Sequence, residues 1–120
     1  MTGRPRLEIG IDCPDPDALA PFWTFALGYR REEGDGDSFI DLAPADGEGP
    51  VVFLQRVPEP KTTKNRVHLD LYVAEPESFM EQLEDLGATR LGEPVMEGDE
   101  WAFQVMADPV GNEFCVCRET

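Results

Sequence analysis

Alternation of apolar and polar residues predicts a β-strand at 7–13, and the same alternation returns at 67–73. A strand sends successive side chains to opposite faces, so each segment offers one apolar face to a core and one polar face to its surroundings. The apolar faces consist of Leu7, Ile9, Ile11 and Cys13 in the first segment and of Val67, Leu69, Leu71 and Val73 in the second.

A helix pattern follows each of these strands. Asp15 and Glu75 precede prolines that suit a first helical turn, and Gly28 and Gly87 supply the stops. The spacing of the apolar residues between them predicts one buried stripe on each helix. These stripes are Leu19, Phe22, Trp23, Ala26 and Leu27 in the first helix, and Phe79, Met80, Leu83 and Leu86 in the second.

Three short strands are then predicted to close each half of the chain. They cover about 29–33, 38–43 and 50–57 in the first half, and about 88–92, 101–107 and 112–118 in the second. Clusters of turn-forming residues separate them: EGDGDS, APADGEGP, MEGDE and DPVG.

The two halves are copies of one module. LEIGI at 7–11 matches VHLDL at 67–71 with an offset of 60, and DPD at 15–17 matches EPE at 75–77. The sequence therefore predicts an α+β fold made of two βαβββ modules, each with its helix on the apolar face of its sheet. We expect one domain over 1–120, with modules at about 6–57 and 66–118 and a linker at about 58–65.

Composition narrows the classes of function. The chain has 120 residues, 41% of them hydrophobic, and no apolar run that would span a membrane or serve as a secretion signal, so we expect a cytoplasmic protein without a membrane partner. Three cysteines are an odd number and show no CxxC spacing, which favours reduced thiols.

The net charge of −15 argues against a nucleic-acid partner and permits a cationic ligand. Four of the ten basic residues nevertheless lie in RVPEPKTTKNR at 56–66. This segment is either a solvated connector or a basic rim that attracts an anionic substrate.

Polar residues occupy the second face of the strands. Glu8, Gly10 and Asp12 lie on that face of the first strand, and His68, Asp70 and Tyr72 occupy it in the strand that opens the second module. In the last strand, Glu113, Cys115 and Cys117 share one face. The offset of 60 makes Glu8 equivalent to His68 and Gln55 equivalent to Cys115. A rough twofold would bring these four positions to the base of one curved sheet, where polar groups need partners, a ligand or water.

The sequence resembles the vicinal oxygen chelate superfamily, which includes glyoxalase I, bleomycin-resistance proteins and extradiol dioxygenases, and within it the small bacterial glyoxalase-like branch. The matching stretches are DPDALAPFWTFALGY, NRVHLDLYV and DPVGNEFCVC, in that order along nearly the whole chain. The resemblance implies a cup formed by a curved mixed sheet with helices on its outer face, often in a homodimer. In the enzymes of the superfamily, a divalent metal in the cup chelates two neighbouring oxygens of the substrate.

The metal-ligand positions of the superfamily fall on Glu8, Gln55, His68 and Cys115. Cys115 departs from the usual glutamate, whereas Glu113 lies two residues earlier. The resemblance thus implies a metal-dependent lyase, isomerase or dioxygenase with Zn, Fe, Ni or Mn, in which Glu113 or Glu8 moves a proton. A cysteine ligand favours zinc or iron. In the absence of a metal, His68 is expected to hydrogen-bond to Asp70, Tyr72 or Glu8.

A small-molecule binding protein without catalysis is the alternative. Acidic groups (Glu8, Asp12, Asp70 and Glu113) beside the aromatic residues Tyr72, Trp101 and Phe103 would suit a cationic, partly planar ligand of the antibiotic type. A degenerate member that serves as a structural or regulatory partner is the third hypothesis.

Overall fold

The computed structural model describes residues 3–32 and 38–119, and these form two compact units that divide between Pro60 and Lys61. The predicted turn EGDGDS lies, apart from its final serine, outside the described residues. The first unit contains β1 (Glu8–Cys13), α1 (Pro16–Leu27), β2 (Tyr29–Arg31), β3 (Phe39–Pro44) and β4 (Val51–Arg56). Its sheet has the order β1-β4-β3-β2, with β1 parallel to β4 and the other pairs antiparallel.

The second unit contains β5 (Leu69–Val73), α2 (Pro76–Asp85), β6 (Thr89–Arg90), β7 (Val95–Glu97), β8 (Glu100–Ala107) and β9 (Glu113–Arg118). Its sheet has the order β5-β9-β8-β6, and β7 pairs with β8. The α+β class and the βαβββ order of each module are confirmed. Strand β7 was not predicted: the segment MEGDE was interpreted as a turn alone, whereas its first residues form a hairpin strand that turns at Gly98.

Both helices begin and end where the sequence predicts. The Asp15 side chain accepts a hydrogen bond from the Ala18 N–H, which satisfies one of the free donors of the first turn. Gly28 ends α1 in the left-handed conformation, with φ 69° and ψ 30°. Gly87 likewise follows α2 with φ 109°.

One face of each sheet is covered by its own helix. In the first unit α1 packs against β2, β3 and β4, and Phe22 and Trp23 meet edge to face with ring centroids 5.1 Å apart. In the second unit α2 packs on β9 and buries Met80 and Leu83. The predicted stripes are correct at their centres and wrong at the end of α2, where Leu86 is 40% exposed.

The apolar faces of the two opening strands are less buried than predicted. Cys13 is buried, but Leu7 is 65% exposed and Val67 is 80% exposed. Both residues lie outside the strands, and β1 and β5 are edge strands of their own sheets, so fewer side chains cover them.

Candidate functional site

Three neighbouring strands of the second unit carry its polar and aromatic residues on one face. In the parallel pair β5/β9, Asp70 lies opposite Cys115 and Tyr72 lies opposite Cys117. In the antiparallel pair β8/β9, Phe103 lies opposite Cys117. Because side chains opposite each other in a sheet are about 5 Å apart, this register places residues distant in sequence side by side.

Three potential metal donors converge on this face. The Nδ1 atom of His68 lies 3.0 Å from Oδ1 of Asp70, and one donor atom each from His68, Asp70 and Cys115 lie within 4.8 Å of one another. His68 comes directly before β5, whereas the other two residues face each other across β5 and β9. We call these three residues the donor cluster.

The donor cluster lines a cavity of about 290 Å³. Phe103, Val105 and Tyr72 form part of its wall, and Glu113 and Lys64 add charged groups. An apolar cavity with a few converging polar groups is the usual form of a small-molecule site. Trp101, which the sequence also suggested as a ligand contact, lies on the same face of β8, two residues before Phe103, and is half-buried.

The thiols and the phenol of this cavity are neutral near pH 7. Burial, followed by the neighbouring charge of Asp70, raises the pKa of Cys115 to about 11. The same two causes raise the pKa of Cys117. The negative charge that Cys117 carries once it ionises, with smaller contributions from burial and from Asp70, raises the pKa of Tyr72. Neither cysteine is therefore an activated nucleophile.

Glu113 anchors the segment that precedes β5. Its Oε1 accepts a hydrogen bond of 2.7 Å from the Asn65 N–H, and the side chain of Asn65 accepts one of 2.7 Å from the Glu113 N–H. Lys61 completes the arrangement with its Nζ 3.4 Å from Oε1. The Asn65 hydrogen bond and the Lys61 charge lower the pKa of Glu113. The end of the predicted linker 58–65 is thus attached to β9.

A buried carboxylate shapes the turn that leads into β9. Asp108 is 3% exposed, and its Oδ1 accepts hydrogen bonds of 2.9 Å from the N–H groups of Val110 and Asn112. Sequence reasoning missed this role, although the DPVG pattern already predicted a turn. The signal was available, because an aspartate at the start of a turn commonly accepts bonds from the backbone that follows.

Gln104 is a second buried polar residue that the sequence analysis did not single out. It is 2% exposed, and its side-chain amide donates to the carbonyls of Leu91, Gly92 and Val105. It therefore ties the loop after β6 to β8 and supports the strand that carries Phe103.

The remaining predicted site residues lie in the first unit. Glu8 forms an ion pair with Arg6, and Asp12 lies opposite Gln55 in the β1/β4 pair. Glu8 lies opposite Val51 instead, so Glu8 and Gln55 are four positions, or about 13 Å, apart along the strands. All three side chains are on exposed residues.

The register also changes the predicted equivalence of the two modules. Cys115 lies opposite Asp70, and the residue that matches Asp70 at an offset of 60 is Gly10, which lies opposite Phe53. The equivalence of Gln55 with Cys115 is therefore wrong by two positions, and Phe53 takes that place. Its ring lies over Gly10, where an added Cβ would be 2.6 Å from the ring.

Comparison with known proteins identifies the fold family. The family model described as "Glyoxalase-like domain" matches residues 8–117, nearly the whole chain. The chain belongs to this glyoxalase-like family. No curated protein sequence matches it significantly.

Solved structures of the vicinal oxygen chelate superfamily share the fold of this glyoxalase-like domain. A glyoxalase/bleomycin resistance protein/dioxygenase family enzyme from Burkholderia phytofirmans PsJN has a TM-score of 0.75 at 17% identity, over 92% of this chain and 95% of the other. A mutant of the fosfomycin resistance protein FosX from Listeria monocytogenes, complexed with Mn(II) and 1S,2S-dihydroxypropylphosphonic acid, has a TM-score of 0.76 at 14% identity, over 100% and 92%.

A bleomycin-binding protein from Streptomyces verticillus, complexed with copper(II)-bleomycin, is also similar. Its TM-score is 0.63 at 16% identity, and the match covers 100% of both chains. The superfamily predicted from the sequence is confirmed. The fold thus occurs in one protein that is complexed with Mn(II) and in another that is complexed with copper(II)-bleomycin.

The donor cluster suits a divalent transition metal. Imidazole and carboxylate, together with the thiolate that Cys115 would become by releasing its proton to bind a metal, favour zinc or iron(II) over magnesium or manganese. Donor atoms in a tetrahedral zinc site lie about 3.3 to 3.8 Å apart, which follows from metal–ligand lengths of about 2.0 to 2.3 Å. The 4.8 Å limit of the cluster is wider, and His68 and Asp70 are exposed enough to rotate inward.

No helix within 3–32 or 38–119 combines the length and the apolar character that a membrane crossing requires.

Proposed function

We propose that this glyoxalase-like domain binds a divalent metal through His68, Asp70 and Cys115 and, with it, a small molecule that carries two adjacent oxygens. The observation that supports this proposal is the convergence of three donor types within 4.8 Å at the wall of a 290 Å³ cavity. Asp70 joins the ligand set that the sequence suggested, because the β5/β9 register brings it to Cys115.

In a lyase, isomerase or dioxygenase, the residues of the cavity would have different roles. When bound, a divalent ion acts as a Lewis acid that polarises substrate oxygens. Phe103 and Val105 would form the apolar side of the site. Glu113 is ionised near neutral pH, so its carboxylate is the proton acceptor that we assign to the cavity.

Metal titration of tag-free protein tests the donor cluster. We expect zinc or cobalt(II) to bind, and a sulfur-to-cobalt charge-transfer band to appear in the absorption spectrum. Cys115→Ser should abolish the band and His68→Ala should weaken binding about 10-fold or more. Cys13→Ser is the matched control, since Cys13 is an equally buried thiol of the first unit. Absence of metal uptake, or a band that persists in Cys115→Ser, would refute this site.

The metal-ligand roles predicted for Glu8 and Gln55, and the ligand contact predicted for Asp12, are part of our proposal. The affinity for zinc is measured for Glu8→Gln and for Gln55→Ala, and the thermal-shift response to aromatic amines is measured for Asp12→Asn. A decrease of zinc affinity would support a ligand role of the replaced residue, Glu8 or Gln55, and unchanged affinity would remove that residue from the ligand set.

Binding without metal is the second candidate function. His68 and Asp70 are joined by a hydrogen bond of 3.0 Å, and the raised pKa of Cys115 keeps its thiol neutral. The polar groups of the cavity therefore have no need of a metal ion, and the cavity could bind a ligand through its polar and aromatic side chains alone. Tyr72 and Phe103 beside Asp70 would stack against a cationic aromatic compound. Thermal-shift measurements with cationic glycopeptides and aromatic amines test this alternative, and a flat response would exclude it for those compounds.

We also propose a homodimer in a reducing compartment such as the cytoplasm. All three cysteines are free thiols, and the edge strands β1 and β5 are flanked by the exposed apolar side chains of Leu7 and Val67. Analytical ultracentrifugation tests the assembly, for which a monomer at all concentrations would be the contrary result.

A further inference from the structure

A second depression adjoins the cavity of the donor cluster. It measures about 500 Å³ and is lined by residues 63–66 together with His68. Lys64 and His68 line both spaces, so the two adjoin at these side chains. We call the second space the basic depression.

The basic depression is charged oppositely to the protein as a whole. Lys64 and Arg66 supply two permanent positive charges, and the lining contains no carboxylate, although the chain carries a net charge of −15. A local excess of one sign at a concave surface concentrates ions of the opposite sign there. The basic residues noted at 56–66 in the sequence thus include Lys64, which lines both spaces, and Arg66, which lines the basic depression.

The segment that carries these cations is fixed to the sheet. The paired hydrogen bonds between Asn65 and Glu113 hold its centre, and Lys61 forms an ion pair with the Glu113 carboxylate. The backbone that carries Lys64 and Arg66, on either side of Asn65, is therefore held in place. This arrangement lowers the entropic cost of binding an anion.

We propose that the ligand of this domain is a small organic anion whose carboxylate, phosphonate or phosphate group binds Lys64 and Arg66. Its adjacent oxygens then face the donor cluster, and its apolar part lies against Phe103 and Val105. This inference rests on the proposed function, because it assigns the ligand's orientation within that same site.

Calorimetric titration with two chelating probes tests the inference. Phosphonoformate carries adjacent oxygens and negative charge, whereas acetohydroxamic acid carries adjacent oxygens and is neutral at pH 7. Both are titrated into zinc-loaded and metal-free protein, for the wild type, Lys64→Gln, Arg66→Gln and the double variant. Arg118→Gln is the control, since it removes one positive charge from the same unit at the far end of β9.

We expect the wild type to bind phosphonoformate more tightly than acetohydroxamic acid. Lys64→Gln and Arg66→Gln should each weaken phosphonoformate binding roughly two- to fivefold, and the double variant more, with acetohydroxamic acid unaffected. Equal weakening by Arg118→Gln, or no preference for the anionic probe, would overturn the inference.

The zinc affinity of each variant separates the two proposals. If zinc binds but the anionic probe is not preferred, only the anion site fails. If zinc does not bind, yet metal-free protein prefers phosphonoformate through Lys64 and Arg66, the anion site stands and the metal proposal fails.

Discussion

The turn at Asp108 offers a direct test of how the strand bearing Glu113 and Cys115 is positioned. Asp108 is almost fully buried, and one carboxylate oxygen accepts from two backbone N–H groups at 2.9 Å each. Asp108→Ala removes the acceptor of both. A buried donor left without a partner costs about 1–3 kcal/mol. Since Val110 and Asn112 are only half-buried, water would replace part of this loss, and we expect about 2–4 kcal/mol of destabilisation.

Asp108→Asn separates the hydrogen bonds from the charge. The amide oxygen retains the acceptor, so we expect a cost below about 1.5 kcal/mol. Urea unfolding followed by tryptophan fluorescence gives the free energy of unfolding of each variant. Asp99→Ala, which removes an exposed carboxylate of the same unit, is the control. The reasoning is refuted if Asp108→Ala destabilises no more than Asp99→Ala.

Three further predictions concern charge and backbone geometry. The pKa of Glu113 is lowered in the folded protein, so its contribution to stability is present above the usual pKa of 4.5 and is lost as the pH falls through the lower pKa of the folded state. Glu113→Gln should therefore flatten the pH dependence of the free energy of unfolding, measured from about pH 7 to about pH 3. An unchanged pH profile would contradict the assignment. Arg90 donates hydrogen bonds to the Glu77 carboxylate from both Nη atoms, at 3.2 and 2.9 Å. Arg90→Lys should therefore lower the free energy of unfolding by about 0.5–1 kcal/mol although it retains the charge. An unchanged free energy of unfolding would show that the paired geometry does not contribute. Gly28 has a φ of 69°, and a Cβ added there would meet nothing within 4 Å, so a substitution costs backbone strain and causes no steric clash. Gly28→Ala should therefore destabilise the protein by about 1 kcal/mol in thermal unfolding, and Gly28→Asn by less. Equal stability of all three proteins would argue against the left-handed cap.

Short-range patterns made the elements predictable. Each helix has a turn residue and a proline at its start, and a glycine at its end, and these signals act within one or two turns of the chain. The alternation in β1 and β5 likewise states which side chains share a face. Strand β7 was not predicted because its three residues do not alternate between apolar and polar types, and all three are exposed in the structure.

The donor cluster depended on strand register, which no local pattern specifies. His68, Asp70 and Cys115 were each noted in the sequence, but only the β5/β9 pairing shows that Asp70 lies beside Cys115. The predicted match of Gln55 with Cys115 was wrong for the same reason. A register shift of two residues leaves each side chain on the same face of the sheet but moves its neighbour on the next strand by about 7 Å.

By itself the sequence determined the duplicated α+β fold, its two helices and the polar character of one sheet face, because these depend on contacts between near neighbours in the chain. Tertiary structure decided which polar groups meet, which are held elsewhere and which stay in solvent. Glu113 shows the difference: its position on the face was predictable, yet its carboxylate is bound by Asn65, 48 residues earlier.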